Sequence, residues 1–224
     1  MRSRKKGRRP AAVAARTRER ILATAERLFA RKGYAATSLR EIAEASGVRM
    51  FTIHHHFGSK LRLYEEIVRR WDAEVGEIVE RVAREARGPR ELVERIVDVL
   101  FDFFLRNRGR VALHARKTLG EGLPRRVSLH EGSWLGFVEK TRHSHRLGDS
   151  GLDPRLLLLT VEGILHNHAL SRVSYQRLFG RDVTDRRLAA RTRRHLREVI
   201  LRLVEPRGGR GAGASRPERG GRKG

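Results

Sequence analysis

The sequence contains no cysteine. That excludes disulfides and thiolate metal centres, and it fits a protein working in the cytoplasm. Long apolar runs are also missing. The richest, Leu156 to Val161, meets Glu162 at once, whereas a bilayer span takes about 20 apolar residues, so no membrane association is expected. The alanine-rich stretch Ala11 to Ala15 follows basic residues but is too short for the apolar region of a signal peptide. There is no alternating segment long enough for a strand, and no Asn-Gly or Asp-Gly hairpin turn. A Gly-rich phosphate loop, a nucleophile elbow and a paired-carboxylate motif are all absent. The expectation is therefore an all-α protein with no catalytic residues and no cofactor.

Acidic residues are scarce where basic ones crowd. The net charge is +24. Residues 1–18 hold eight basic residues and no acid, and residues 205–224 hold six basic and two acidic ones. Residues 61–204 carry a mixed charge, 29 basic against 20 acidic. A surface this basic attracts polyanions, and its affinity for DNA should fall steeply with salt. Residues 1–16 read as a disordered basic arm. From Pro206 onward Gly, Arg and Pro dominate, so residues 206–224 read as a disordered tail.

Between these ends every segment has helical periodicity. Ile21, Leu22, Ala25, Leu28 and Phe29 make one apolar stripe, and Gly33 follows a basic last turn. Ser38 with Glu41 has the form of a capping box and opens a second helix that carries Leu39, Ile42 and Ala43 inward. Gly47 interrupts, and Met50 to Phe57 forms a third. Helix, Gly-containing turn, helix is the sequence form of a helix-turn-helix, so residues 17–60 should bind double-stranded DNA.

Residues 61–205 should form a second helical domain. A long helix runs from Lys60 to about Arg87, where Gly88-Pro89 stops it. Arg90–Arg106 and Val111–Leu119 follow. Pro124 opens another towards Arg146, Asp153-Pro154 starts one running to about Phe179, and Thr184 caps the last. The helix carrying Leu156, Leu157, Leu158, Leu159, Val161, Ile164, Leu165, Ala169 and Leu170 reads as buried nearly all round. The final helix sets Leu188, Leu196, Val199, Ile200 and Leu203 beside Arg186, Arg187, Arg191, Arg194 and Arg197. These last two long helices are the expected homodimer interface, built as a four-helix bundle.

The run from Arg20 through Thr24-Ala25, Leu28-Phe29, Gly33-Tyr34, Thr37-Ser38 and Ile42-Ala43 to Gly47-Val48, continued by Thr52–Phe57 and Gly58-Ser59-Lys60, resembles the N-terminal domain of the tetracycline-repressor (TetR/AcrR) family. The resemblance covers about 41 of 224 residues. It implies an Ω-shaped dimer of nine-helix subunits that acts as a ligand-released repressor on a palindromic operator. Carried over position by position, Thr37, Ser38 and Arg40 become phosphate and groove-edge contacts. Thr52, His54, His55 and His56 become groove and backbone contacts, and Lys60 a phosphate-binding lysine. Ile53 and Phe57 should pack inward.

The chain departs from the family at Arg49, Met50 and Phe51, where a small capping residue, Lys and a small residue are usual, and at His54, where Tyr is usual. Arg49 can replace the lost charge and pair bidentately with a guanine. Phe51 either meets a thymine methyl group or packs. The recognised base sequence should therefore differ from that of typical relatives.

Consecutive helical residues point about 100° apart, so His54, His55 and His56 cannot converge on one metal. No two of the ten histidines stand at i, i+3 or i, i+4, and no metal ligand set is expected. Glu162 and His166 do stand at i, i+4. They either line a ligand pocket or make a polar contact in packing or across the dimer seam, the latter being favoured. For a small-molecule effector, apolar spacing nominates Trp71, Phe101, Phe104, Trp134 and Phe137, with His166. The competing reading is a sequence-tolerant DNA-coating or architectural protein driven by the basic ends.

Overall fold

The chain turns helical before the basic arm is over. In the computed structural model, which describes residues 8–119 and 153–204, α1 spans Arg8–Lys32. Sequence reasoning treats residues 1–16 as disordered; residues 8–16 are instead the first turns of α1. Alanine is the strongest helix former, and Pro10 falls where backbone N–H groups have no intrahelical partner anyway. Residues 11–16 are exposed.

Eight further helices follow among the described residues: α2 Leu39–Ser46, α3 Met50–Phe57, α4 Lys60–Glu85, α5 Pro89–Arg106, α6 Arg108–Thr118, α7 Pro154–Leu170, α8 Arg172–Phe179 and α9 Arg186–Val204. No described residue lies in a strand, and no described helix is long and apolar enough to cross a membrane. The expected helix after Pro124, with Trp134 and Phe137, lies outside the described residues, as does the tail 206–224.

Two hydrophobic cores organise the helices. The first gathers Ile21, Leu22, Ala25, Leu28 and Phe29 of α1 with Ile42 and Ala43 of α2, Ile53 and Phe57 of α3, and the first turns of α4. Phe29, Tyr34 and Tyr64 pack ring against ring, with centroids 5.1–5.7 Å apart. Burial, then the neighbouring Tyr34, pushes the Tyr64 hydroxyl up to about 12. The second core joins α4, α5, α7, α8 and α9 around Phe101, Phe104, Leu165 and Leu196.

Two helices belong to both cores. On α4, Leu63, Tyr64, Ile67 and Val68 face the first core, while Trp71, Val75 and Val79 face the second. On α6, Leu113 enters the first and Val111 the second. Arg110 of α6 adds a polar tie, reaching Glu26 of α1 and Glu74 of α4, both at 2.7 Å.

The C-terminal helices correct three expectations. The helix expected from Pro154 to Phe179 divides at Ser171. The change of direction seats Tyr175 against α9, where its hydroxyl donates to Thr192 Oγ1 at 3.2 Å. Asp185, not Thr184, caps α9, its Oδ1 accepting from the amides of Arg187 and Leu188. Finally, α7 is not buried all round: Leu165 and Ala169 are, but Leu156 and Leu159 are 64 % and 60 % exposed in the single chain.

Candidate nucleic-acid interface

α3 is anchored on one side and open on the other. Ile53 and Phe57 are buried in the first core, while Met50 and Phe51 are 49 % and 78 % exposed. Arg49, His54 and His55 are exposed as well, and Thr52 and His56 are half-buried. The two buried positions lie four apart, so the face carrying Phe51, His54 and His55 points to solvent. Phe51 stacks loosely on His55, one turn on, with centroids 6.3 Å apart. The open question over Phe51 is thereby answered for the free chain: the ring does not pack into the core.

The turn that aims α3 begins at Ser38, whose Oγ accepts from the Glu41 amide at 3.1 Å. The Glu41 carboxylate pairs with Lys32 at 2.5 Å. Gly47 closes α2 at φ 64°, a left-handed conformation that costs glycine little. Arg40 is exposed and pairs with Glu44 at 3.0 Å, a solvated contact a phosphate can displace. Thr37 differs from its expected role. It is 1 % exposed and its hydroxyl donates to the Gly33 carbonyl at 2.8 Å. Its side chain braces the turn and is not presented to a phosphate.

His54 Nδ1 lies 2.9 Å from the Gly58 carbonyl oxygen. A carbonyl only accepts, so the proton sits on Nδ1 and leaves Nε2 for an outside partner. Burial, then His55 and Arg18, lowers the pKa of His56. Lys60 begins α4 with its ammonium 4.3 Å from the Tyr34 ring centre and 3.4 Å from the Ala35 carbonyl oxygen. Burial lowers its pKa. Behind this surface α1 is clamped to α4. Arg70 forks onto Glu19 at 2.7 and 2.9 Å, and Glu66 receives Arg18, Arg69 and Arg70. Burial alone would raise the Glu66 carboxyl, but the hydrogen bonds from Arg69, Arg18 and Arg70 outweigh it and hold the group at about 2.

Of the nominated effector residues, Trp71, Phe104 and His166 come together. Trp71 stacks on Phe104 at 5.8 Å, and the His166 ring lies 4.9 Å from Phe104. Phe101 is fully buried in the same core. Glu162 and His166 face inward between α6 and α7, towards His114, a contact within the chain, which is the packing form of the favoured reading and not the one across the seam. Burial, then His114, drives the His166 imidazole down to about 3, so it is neutral at physiological pH. Sequence reasoning missed His114, because its partners stand on another helix and no spacing within one helix could reveal it. It also missed a cleft of about 490 Å³ between α7, α8 and α9, lined by His168, Tyr175, Phe179, Arg191 and His195 among others.

With this geometry in place, residues 21–67 match the bacterial regulatory proteins of the tetR family. Over this segment the chain is similar to that family. The chain is 44 % identical over 62 residues to the HTH-type transcriptional regulator AcrR of Shigella flexneri, covering 28 % of this chain and 29 % of that protein. It is 27 % identical over 128 residues to the HTH-type transcriptional repressor NicS of Pseudomonas putida, covering 57 % and 60 %. The matches thus span from under a third to about three-fifths of those relatives' lengths.

The fold extends further than the sequence likeness. A tetR-family transcription regulator from Marinobacter aquaeolei superposes with a TM-score of 0.67 at 17 % identity, over 89 % of this chain and all of that one. The regulator FadR from Bacillus subtilis, solved in complex with stearoyl-CoA, gives 0.65 at 18 % identity, over 84 % and 99 %.

Proposed function

We propose that this chain is a tetR-family regulator, a sequence-specific DNA-binding transcription factor acting as a cytoplasmic homodimer on a palindromic operator and released by a small-molecule effector. One observation carries the reading: α3 is seated by Ile53 and Phe57 with Met50, Phe51, His54 and His55 outward. An eight-residue helix so presented fits the major groove, with Arg49 at its N-terminal end in reach of base edges. Ser38, Arg40 and Lys60 supply flanking phosphate contacts. Lys60 stands at a helix N-terminus, where backbone amides also favour an anion.

The dimer is supported by apolar residues left bare on α7 and α8. Leu156, Leu159, Val173 and Leu178 are each at least 60 % exposed in the single chain, and large apolar side chains bared to water in this number support an interaction surface. Two recognition helices presented by a symmetric pair must stand about 34–36 Å apart, or a multiple of one turn, to enter successive grooves. An effector acts on that spacing if it binds one arrangement of the helices better than the other. The shared helices α4 and α6 offer the route, since neither can shift in the second core without moving side chains of the first.

The coating reading draws on the net charge of +24. Selection of bound sites from random DNA, followed by footprinting at physiological salt, separates the two. A protected palindrome with half-sites one turn or two apart is expected. Uniform protection without an enriched sequence overturns the regulator reading.

A further inference from the structure

Three side chains that the DNA-facing surface does not use meet between α6 and α7. His114 Nδ1 lies 3.3 Å from Glu162 Oε1, and His166 Nε2 lies 3.9 Å from the same oxygen. One ligand atom from each residue falls within 4.8 Å of the other two. The side chains of His114, Glu162 and His166 are only 11 %, 18 % and 12 % exposed. Glu162 and His166 stand one turn apart on the same face of α7, and α6 delivers His114 opposite them. We propose that His114, Glu162 and His166 bind a divalent first-row transition-metal ion inside the helical domain.

The donor set points to the class of ion. Two imidazoles and a carboxylate suit Zn²⁺, Co²⁺, Ni²⁺ or Fe²⁺, whereas Mg²⁺ and Ca²⁺ take oxygen ligands. Metal–nitrogen bonds of about 2.0–2.1 Å put tetrahedral ligand atoms about 3.3 Å apart. His114 and Glu162 already have that spacing, while His166 stands 3.9 Å from Glu162 and within 4.8 Å of His114 and has to close on both.

The surroundings match a metal site beyond the three ligands. Asp72 of α4 is buried, and its Oδ1 lies 3.6 Å from His114 Nε2, on the ring edge away from Glu162. A carboxylate behind a ligating imidazole fixes the ring and raises its basicity. Lys117 Nζ in turn lies 3.6 Å from Asp72 Oδ2. Phe104 and Trp71, with ring centres 4.9 Å from His166 and 6.4 Å from His114, line the apolar side. Three protein ligands leave at least one coordination position for water or for a donor atom of a small molecule.

The test uses the full chain, stripped with a chelator and titrated with Co²⁺. The expected result is one Co²⁺ per chain with visible ligand-field absorption, displaced by Zn²⁺. His114→Gln and His166→Asn should each abolish the absorption, and Asp72→Asn should weaken affinity by about 10–100-fold. Circular dichroism checks that each variant remains helical. Replacing His54, His55 and His56 together with Gln should leave the stoichiometry at one. No Co²⁺, Ni²⁺ or Zn²⁺ retained by the wild-type chain after dialysis against excess metal overturns the proposal. So does binding that survives in a chain lacking both His114 and His166. Neither readout involves DNA, so the site stands or falls separately from the regulatory function.

Discussion

Phe51 gains nothing from the fold, since its ring faces solvent. Phe51→Ala should therefore leave the unfolding free energy within about 0.5 kcal/mol of wild type, while relaxing preference for thymine at one operator position. Denaturant unfolding and selected-site sequencing check the two halves. Arg49→Ala should likewise alter preference at a single base pair, by about 1–3 kcal/mol. Lys60→Ala should weaken all DNA alike and lower the salt dependence by about one phosphate's worth. Equal losses for Arg49→Ala on operator and random DNA would refute its assignment to a base. Thr37→Val should behave oppositely, costing about 1 kcal/mol of stability through the lost bond to Gly33. Residue spacing shows that Thr37 is near the DNA side, but not which way its hydroxyl turns. That depends on the Gly33 carbonyl four residues back, a contact no apolar pattern encodes.

At the scale of elements, the turn between α2 and α3 was readable because one residue type answers one backbone need. Gly47 has φ 64°, and a Cβ added there would meet nothing within 4 Å. The cost of Gly47→Ala is thus conformational alone, about 1–2 kcal/mol, and Gly47→Asn should cost less because Asn tolerates that region. Urea midpoints of the two variants give the comparison. The bend at Ser171 was not readable, because apolar residues continue at helical spacing on both sides of it and only Tyr175 docking under α9 makes the break useful. The clamp between α1 and α4 was equally invisible, since Glu66 and Arg18 are 48 positions apart. It carries a pH signature. The folded Glu66 carboxyl sits at about 2, below its ordinary value of 4.5. The stability it contributes is therefore complete above that ordinary value and is lost as pH falls through about 2. Glu66→Gln should lower stability at neutral pH and flatten the acid limb, which thermal melts between the two values would reveal.

For the whole molecule, the proposed pairing of two recognition helices rests on the bare leucines of α7. Sequence periodicity marks this helix as strongly apolar, but apolar spacing alone does not say which of its faces the chain itself covers. In the structure Leu165 and Ala169 lie in the second core, while Leu156 and Leu159 are exposed. The basic face of α9 divides in the same way. Arg197 is engaged by Asp98 of α5, and Arg193 by Asp102 at 2.5 Å, so part of that charge is structural and not free for DNA. A Leu156→Glu/Leu159→Glu chain should remain helical and sediment as a monomer, because an interface cannot bury two unpaired carboxylates cheaply. With one recognition helix per particle, affinity for a full palindrome should collapse towards that for a single half-site, while weak salt-sensitive binding to any DNA persists through the basic surface. A variant that still sediments as a dimer would move the interface away from α7. A wild-type chain that sediments as a monomer and yet protects both half-sites would break the link between pairing and recognition.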